Sequence, residues 1–389
     1  MRHKTLSVLT SFALVLTAGG MAHAGWEEGV AAFKAQNWAQ AAQEFQAVVE
    51  ASPEYAGGHQ MLGQSLLKLN RSQEALTHLR KAYDLGPDNI AVQMVLGQAY
   101  VQTGRYRDAA ELLGNVNAAS LPKAQQGALH QMLAIALDKT GQSSSAIREM
   151  ERAVALDPND AGLQYQLGTL LFNNGDTAQA VGALEKAASL DSGDSRKQKA
   201  YADALLRSAR EQQGSAKEAT YRKAVSAASR LVTAEASYDN LMLLGGAQLG
   251  AGVYTEAAST FQRAAGQNAR DWLPQFYIGQ AQTSTGNFTA AEGALQKALS
   301  LTESQTDRNR IWNQLGFVYE KQKNWPQAKT AYGKAGNSGA ISRVEQNEAT
   351  HEFNAEVEAE RAEIEKLKAE EEELEKKLRE LEGDTPPRD

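Results

Sequence analysis

From Gly25 to Ala335 the apolar residues recur every three to four positions and do not alternate, which predicts helix throughout. A self-similar pattern returns at ~34 residues, the length of a helix-turn-helix unit. A small residue stands at Gly29, Gly63, Gly97, Ala134, Gly168, Gly245, Gly279 and Gly316, and marks a first helix. Twelve residues after each comes an alanine: Ala41, Ala75, Ala109, Ala146, Ala180, Ala257, Ala291 and Ala328. Four further on stands a large apolar residue: Phe45, Leu79, Leu113, Met150, Leu184, Phe261, Leu295 and Tyr332. Residues four apart share a helix face, so the alanine lets two helices approach while the large residue fills the space between them. The small residue of the first helix is the opposing surface. Pro53, Pro87 and Pro158 close their repeats, since proline lacks the amide donor that a helix interior needs.

The pattern divides the chain. Residues 25–189 carry five units and 237–338 carry units seven to nine. Between them, 190–236 reads as a divergent unit, in which a polar insertion around Gln212 to Ser215 separates a first helix with Tyr201, Ala202 and Leu205 from a second near Ala224 to Leu231. About three residues are gained near Ser120-Leu121-Pro122. After Gly336-Asn337-Ser338-Gly339 the composition turns to Glu, Lys and Ala, and 340–383 reads as one long charged helix of roughly 60 Å. Phe353, Val357, Ile364, Leu367, Leu374, Leu378 and Leu381 fall at alternating three and four spacing or its multiples, a coiled-coil seam interrupted by Glu360 and Glu371. The seam fits either self-association into a homo-oligomer or a helix that is solitary or bound to a partner. Gly383 stops it, and 384–389 reads as a disordered end.

The first residues belong to none of this. Arg2 and Lys4 precede an uncharged run from Thr5 to Ala22 that ends in Ala22-His23-Ala24, so 1–24 reads as a signal peptide cut after Ala24. No later apolar stretch is long enough for a membrane span. The chain has no cysteine, which excludes disulfides, thiolate metal sites, a cysteine nucleophile and a lipidated cysteine. Export without disulfides fits a bacterial periplasm. The net charge of -7 is the tail's, because Val344 to Asp389 holds 17 acidic and 7 basic residues. A basic stripe is lacking, and an acidic helix repels phosphates, so nucleic acid is not expected as a partner.

At its landmark residues the sequence resembles the tetratricopeptide repeat family. The last unit matches best, with Trp312, Leu315, Gly316, Tyr319, Ala328, Tyr332 and Ala335 in the family's order. The resemblance spans about four fifths of the chain. It implies an all-α, right-handed superhelical solenoid of helix-turn-helix repeats whose first helices line a concave groove. It also implies a non-catalytic scaffold for a protein or peptide, and export together with that scaffold leads to the expectation of an accessory of a cell-envelope assembly, secretion or division complex.

By the family's offsets the groove lining is Gln60, Met94, Gln131, Tyr165, Met242, Phe276 and Asn313 on one side of the small residue. Gln64, Gln98, Gln280 and Phe317 stand on the other. Amides with Met and aromatic rings suit an extended peptide or a helix. The alternative is a glycan, held by Trp26, Tyr165 and Phe276 with amides around them. Lys34, Lys68, Lys139 and Lys321 recur five residues after the small position, as a basic ledge or as dipole-complementing helix ends. The family's carboxylate clamp of paired Lys and Asn is not met.

Nothing in the sequence points to an enzyme. His59, His78, His130 and His351 form no metal motif, His59 and His130 take equivalent packing offsets, and there is neither a phosphate loop nor a nucleophile elbow. No metal and no cofactor is expected.

Overall fold

The computed structural model describes residues 25–383, so the expected signal peptide and the last six residues lie outside it. The described residues form nineteen α-helices and one short 3-10 turn, with no strand. Helices pair in order, each first helix turning back onto a second. The pairs are α1 (Trp26–Lys34) with α2 (Trp38–Ala51), α3 (Ala56–Lys68) with α4 (Ser72–Leu85), and α5 (Ile90–Gln102) with α6 (Tyr106–Gly114). Next come α7 (Lys123–Lys139) with α8 (Ser143–Leu156), α9 (Ala161–Asn174) with α10 (Thr177–Leu190), and α11 (Ser195–Glu211) followed by α12 (Gly214–Ala234). Then follow α13 (Tyr238–Gly250) with α14 (Tyr254–Gln267), α15 (Leu273–Ser284) with α16 (Phe288–Ser300), and α17 (Gln305–Lys321) with α18 (Trp325–Lys334). The last helix, α19 (Ser338–Gly383), has 46 residues. This is an all-α solenoid of helical repeats. It divides into two compact units, with the boundary between Thr220 and Tyr221 inside α12.

The spacing of small and large residues sets each hairpin. All eight landmark alanines, from Ala41 to Ala328, are wholly buried. Opposite them the glycines of the first helices have no room for a side chain. A Cβ on Gly63 or Gly168 would lie 2.5 Å from the Cγ of Leu79 or Leu184, and one on Gly279 would lie 2.6 Å from Leu295 Cγ. The large residue of the second helix thus fills a notch cut in the first.

Each regular hairpin also turns on one left-handed residue, seven positions after the small one. Five of these are glycines, such as Gly175 (φ 95°), where the missing Cβ removes the steric cost. Gln36, Asn70 and Lys323 take the same conformation with φ of 60°, 60° and 57°.

Two sequence expectations read differently in three dimensions. The polar stretch at Gln212 to Ser215 is a break of only two residues, after which α12 begins at Gly214. Residues 214–219 are the exposed first turns of that helix, because Ala, Lys and Glu are strong helix formers even where nothing packs on them. Likewise the break at Gly336 is one turn: Gly336 takes φ 71°, Asn337 caps Ala340 N through its Oδ1 at 3.0 Å, and α19 starts at once. The residues gained near Leu121 form the 3-10 turn Ala118–Ser120, and Leu121 is buried against Leu113 and Leu129.

Candidate partner-binding faces of the repeats

In the first unit the first helices touch along one stripe. Gln131 Nε2 on α7 donates to Gln166 Oε1 on α9 at 3.0 Å. Of the other expected lining residues, Tyr165 on α9 and Gln64 on α3 are half-buried and Gln98 on α5 is exposed. One member of the expected lining, Gln60, is core instead, and a second, Met94, is partly so. Gln60 is 4% exposed, and its amide nitrogen has no hydrogen-bond partner among the described residues. Met94 is partly buried against the cluster of Leu113, Leu121 and Leu129. The offset that places these residues on the first helix does not say how closely the next repeat stacks over them.

The histidines of this unit bridge the two helices of a hairpin. His59 Nε2 donates to the Pro53 carbonyl at 2.9 Å, so its Nδ1 accepts from His78 Nδ1 at 3.1 Å. Burial, then the neighbouring His59, pushes the His78 imidazole below its ordinary pKa. At the same offsets His130 Nδ1 meets Glu149 Oε2 at 2.7 Å, and Arg152 also binds Glu149, at 2.5 Å. These are packing contacts between paired helices. No group of three or more candidate metal ligands occurs among the described residues.

In the second unit the face of α15 and α17 gathers a denser set. Phe276 is 2% exposed and so belongs to the core, correcting its place in the expected lining. The Arg310 guanidinium lies over its ring at 4.5 Å from the centroid and within 5.9 Å of the Trp272 and Tyr277 rings, three cation–π contacts. No carboxylate pairs with Arg310 among the described residues. One turn along α17, Asn313 Oδ1 accepts from Asn337 Nδ2 at 2.7 Å and Asn313 Nδ2 donates to the Asn309 carbonyl at 3.0 Å. Both ends of that amide are spent within the protein. Gln280 Nε2 reaches Gln314 Oε1 at 3.5 Å. Phe317 is 39% exposed, with Lys321 Nζ 5.2 Å from its ring centroid. Met242 packs partly against the Phe261 and Ile278 cluster.

Reading only the positions three before and one after the small residue missed Gln166, Gln314 and Arg310. They stand two or six before it, positions one helical turn apart on one face, and reading those two offsets as well would have found them.

Lys34, Lys68, Lys139 and Lys321 are each the final residue of a first helix and are exposed. There they complement the negative end of the helix dipole. Lys68 Nζ also lies 5.8 Å from the Trp38 ring centroid, and Lys139 is 3.7 Å from Asp138.

The root of α19 is latched onto α17 and α18. Glu320 accepts from Arg343 Nη2 at 2.8 Å, from Tyr332 Oη at 2.9 Å and from Asn347 Nδ2 at 3.1 Å. Burial alone would push this carboxyl up, but the donors hold it below its ordinary value. Ala340 and Val344 are buried, and Lys329 pairs with Glu348 at 2.7 Å. Beyond His351 the expected seam residues are solvent-facing: Ile364, Leu367, Leu374, Leu378 and Leu381 are all more than half exposed, and Val357 is partly covered.

One family model described as tetratricopeptide repeat matches residues 27–90, 132–195 and 242–308, half of the chain, and another matches 66–134. The chain belongs to the tetratricopeptide repeat family. Among curated proteins no sequence match was found. Similar solved structures include YrrB, described as a tetratricopeptide repeat protein with an unusual peptide-binding site. It is 22% identical with a TM-score of 0.42, over 51% of this chain and 96% of YrrB. A MamA fragment from Desulfovibrio magneticus RS-1 is 20% identical with a TM-score of 0.39, over 46% and 97% of the two chains. MamA AMB-1 is 27% identical with a TM-score of 0.39, over 42% and 95%. No helix among the described residues of this tetratricopeptide repeat protein is long and apolar enough to cross a membrane.

Proposed function

We propose that the protein is a non-catalytic scaffold, exported to the bacterial periplasm, that holds an extended segment of another cell-envelope protein along the first helices of its repeats. The observation that carries the reading is the α15–α17 face. A cation without a carboxylate lies on three aromatic rings there, beside the Gln280–Gln314 amides and the half-exposed Phe317. A peptide in extended form supplies carbonyls and amides to the glutamines, an apolar side chain to Phe317 and an acidic group to Arg310. A glycan needs open aromatic faces, and Phe276, one of three expected to provide them, is buried beneath Arg310.

The test is selection of binding sequences from a random peptide library, followed by affinity measurement against wild type and the pair Arg310→Ala with Phe317→Ala. Peptides that lose roughly tenfold or more on the variant support the reading. No selected peptide, or equal binding to both, overturns it. Export is tested separately by fractionation and N-terminal sequencing, with a mature chain beginning at Gly25 as the expected result.

A further inference from the structure

We propose that α19 is a dimerisation helix that pairs with α19 of a second copy of the chain, parallel and in register. The free part of the helix carries an apolar stripe from Phe353 and Val357 through Ile364 and Leu367 to Leu378 and Leu381, of which all but the partly covered Val357 are exposed among the described residues. Phe353 is 63% exposed and Leu381 73%. With Leu374 these residues hold one register of alternating four and three spacing, in which Glu360 and Glu371 fill the two remaining positions, the repeat that keeps one face of a helix turned to a partner.

The occupant follows from geometry and charge. Val344, at the centre of the docked root, is nine residues before Phe353, about two and a half turns, so the stripe lies across the helix from the face that α17 and α18 hold. A second helix therefore approaches on the open side. In a parallel pair the residues flanking the stripe meet five apart. Glu356 falls beside Arg361 of the second copy and Glu363 beside Lys368 of the second copy, each contact made twice by symmetry. Only Glu370 with Glu375 is repulsive in that series. An antiparallel pair with the same overlap gains Glu356 with Lys377 but sets Glu363 against Glu370 and Arg361 against Lys368, so like charges outnumber opposite ones at its flanks, while the seam glutamates face glutamates in either arrangement and do not choose between them. The charge pattern thus selects the parallel arrangement, and the two seam glutamates weaken it without changing its direction.

The test uses the full chain. Sedimentation equilibrium of wild type is expected to give twice the chain mass. Arg361→Glu with Lys368→Glu should weaken the dimer by roughly tenfold, and so should Glu356→Lys with Glu363→Lys, because each makes its own flanks alike. Mixing the two variants should restore a dimer of one copy of each. Circular dichroism guards against unfolding, since all four replacements favour helix. Because the chain has no cysteine, Leu378→Cys reports orientation directly: a disulfide to itself under mild oxidation is expected. A monomer at all accessible concentrations, a trimer, a mixture no tighter than its parts, or a Leu378→Cys that crosslinks only to a Phe353→Cys chain overturns the proposal.

Discussion

The hairpin α15–α16 and the part of α19 beyond His351 are equally helical and are held by opposite means. In the hairpin, Leu295 and Ala291 are fully buried against the notch at Gly279. In the free part of α19 the ion pairs join neighbours on the same helix, as in Lys366 with Glu370, Glu373 with Lys377 and Glu375 with Arg379. A buried leucine contributes about 1.5–3 kcal/mol, and an exposed pair of that kind about 0.2–0.5 kcal/mol. Helix content is therefore no measure of what fixes this fold. Packing sets the hairpins, while local charge pairing leaves α19 with an apolar face still to be covered.

The sharpest way to break that contrast is one kind of substitution made in both places. Gly279→Leu drives a side chain into Leu295 and should cost roughly 3 kcal/mol or more by overpacking. Ala362→Leu, on an exposed and unpacked side of α19, should stay within about 0.5 kcal/mol. Equal losses in chemical denaturation would sink the distinction.

Next in size is the junction. Glu320→Ala removes four donated hydrogen bonds, two of them from Arg343, and should cost about 2 kcal/mol at neutral pH. Because the folded carboxyl titrates below its ordinary value, its contribution is complete above that value and fades as pH falls through the lowered one. The gap between melting curves of wild type and variant should begin to narrow as pH falls below the ordinary glutamate value of about 4.3 and close at lower pH, and a gap that does not narrow on acidification would mean the latch is not electrostatic.

Gln60→Met takes an amide whose nitrogen is unpartnered out of the core of the first unit, with an expected gain of about 1 kcal/mol in unfolding free energy. A loss would show that the amide finds a partner in solution. The smallest effect belongs to the tail: Glu373→Gln should lower helicity by a few tenths of a kcal/mol, and only at low salt.

The hairpins were legible because helical periodicity forces residues four apart onto one face, so Gly63 with Leu79 and Gly279 with Leu295 could be matched by offset alone. The contacts between successive repeats were not. A further offset names Arg310 as a candidate, but whether it covers Phe276, or whether Asn313 is spent on Asn337, depends on how one helix stacks on another, which spacing alone does not give. The polar start of α12 was misread for a different reason: Ala, Lys and Glu form helix without burying anything, so hydropathy carries no signal there.

The root of α19 also determines what shedding the tail would do. Ala340 and Val344 lie on Tyr332 and its neighbours, so the root is the lid of the last repeat as well as the base of the seam. A protease cutting beyond His351 would release the seam and leave the array sealed. A cut before Ser338 would strip the lid, bare the apolar side of α18 and mark the same array for further degradation.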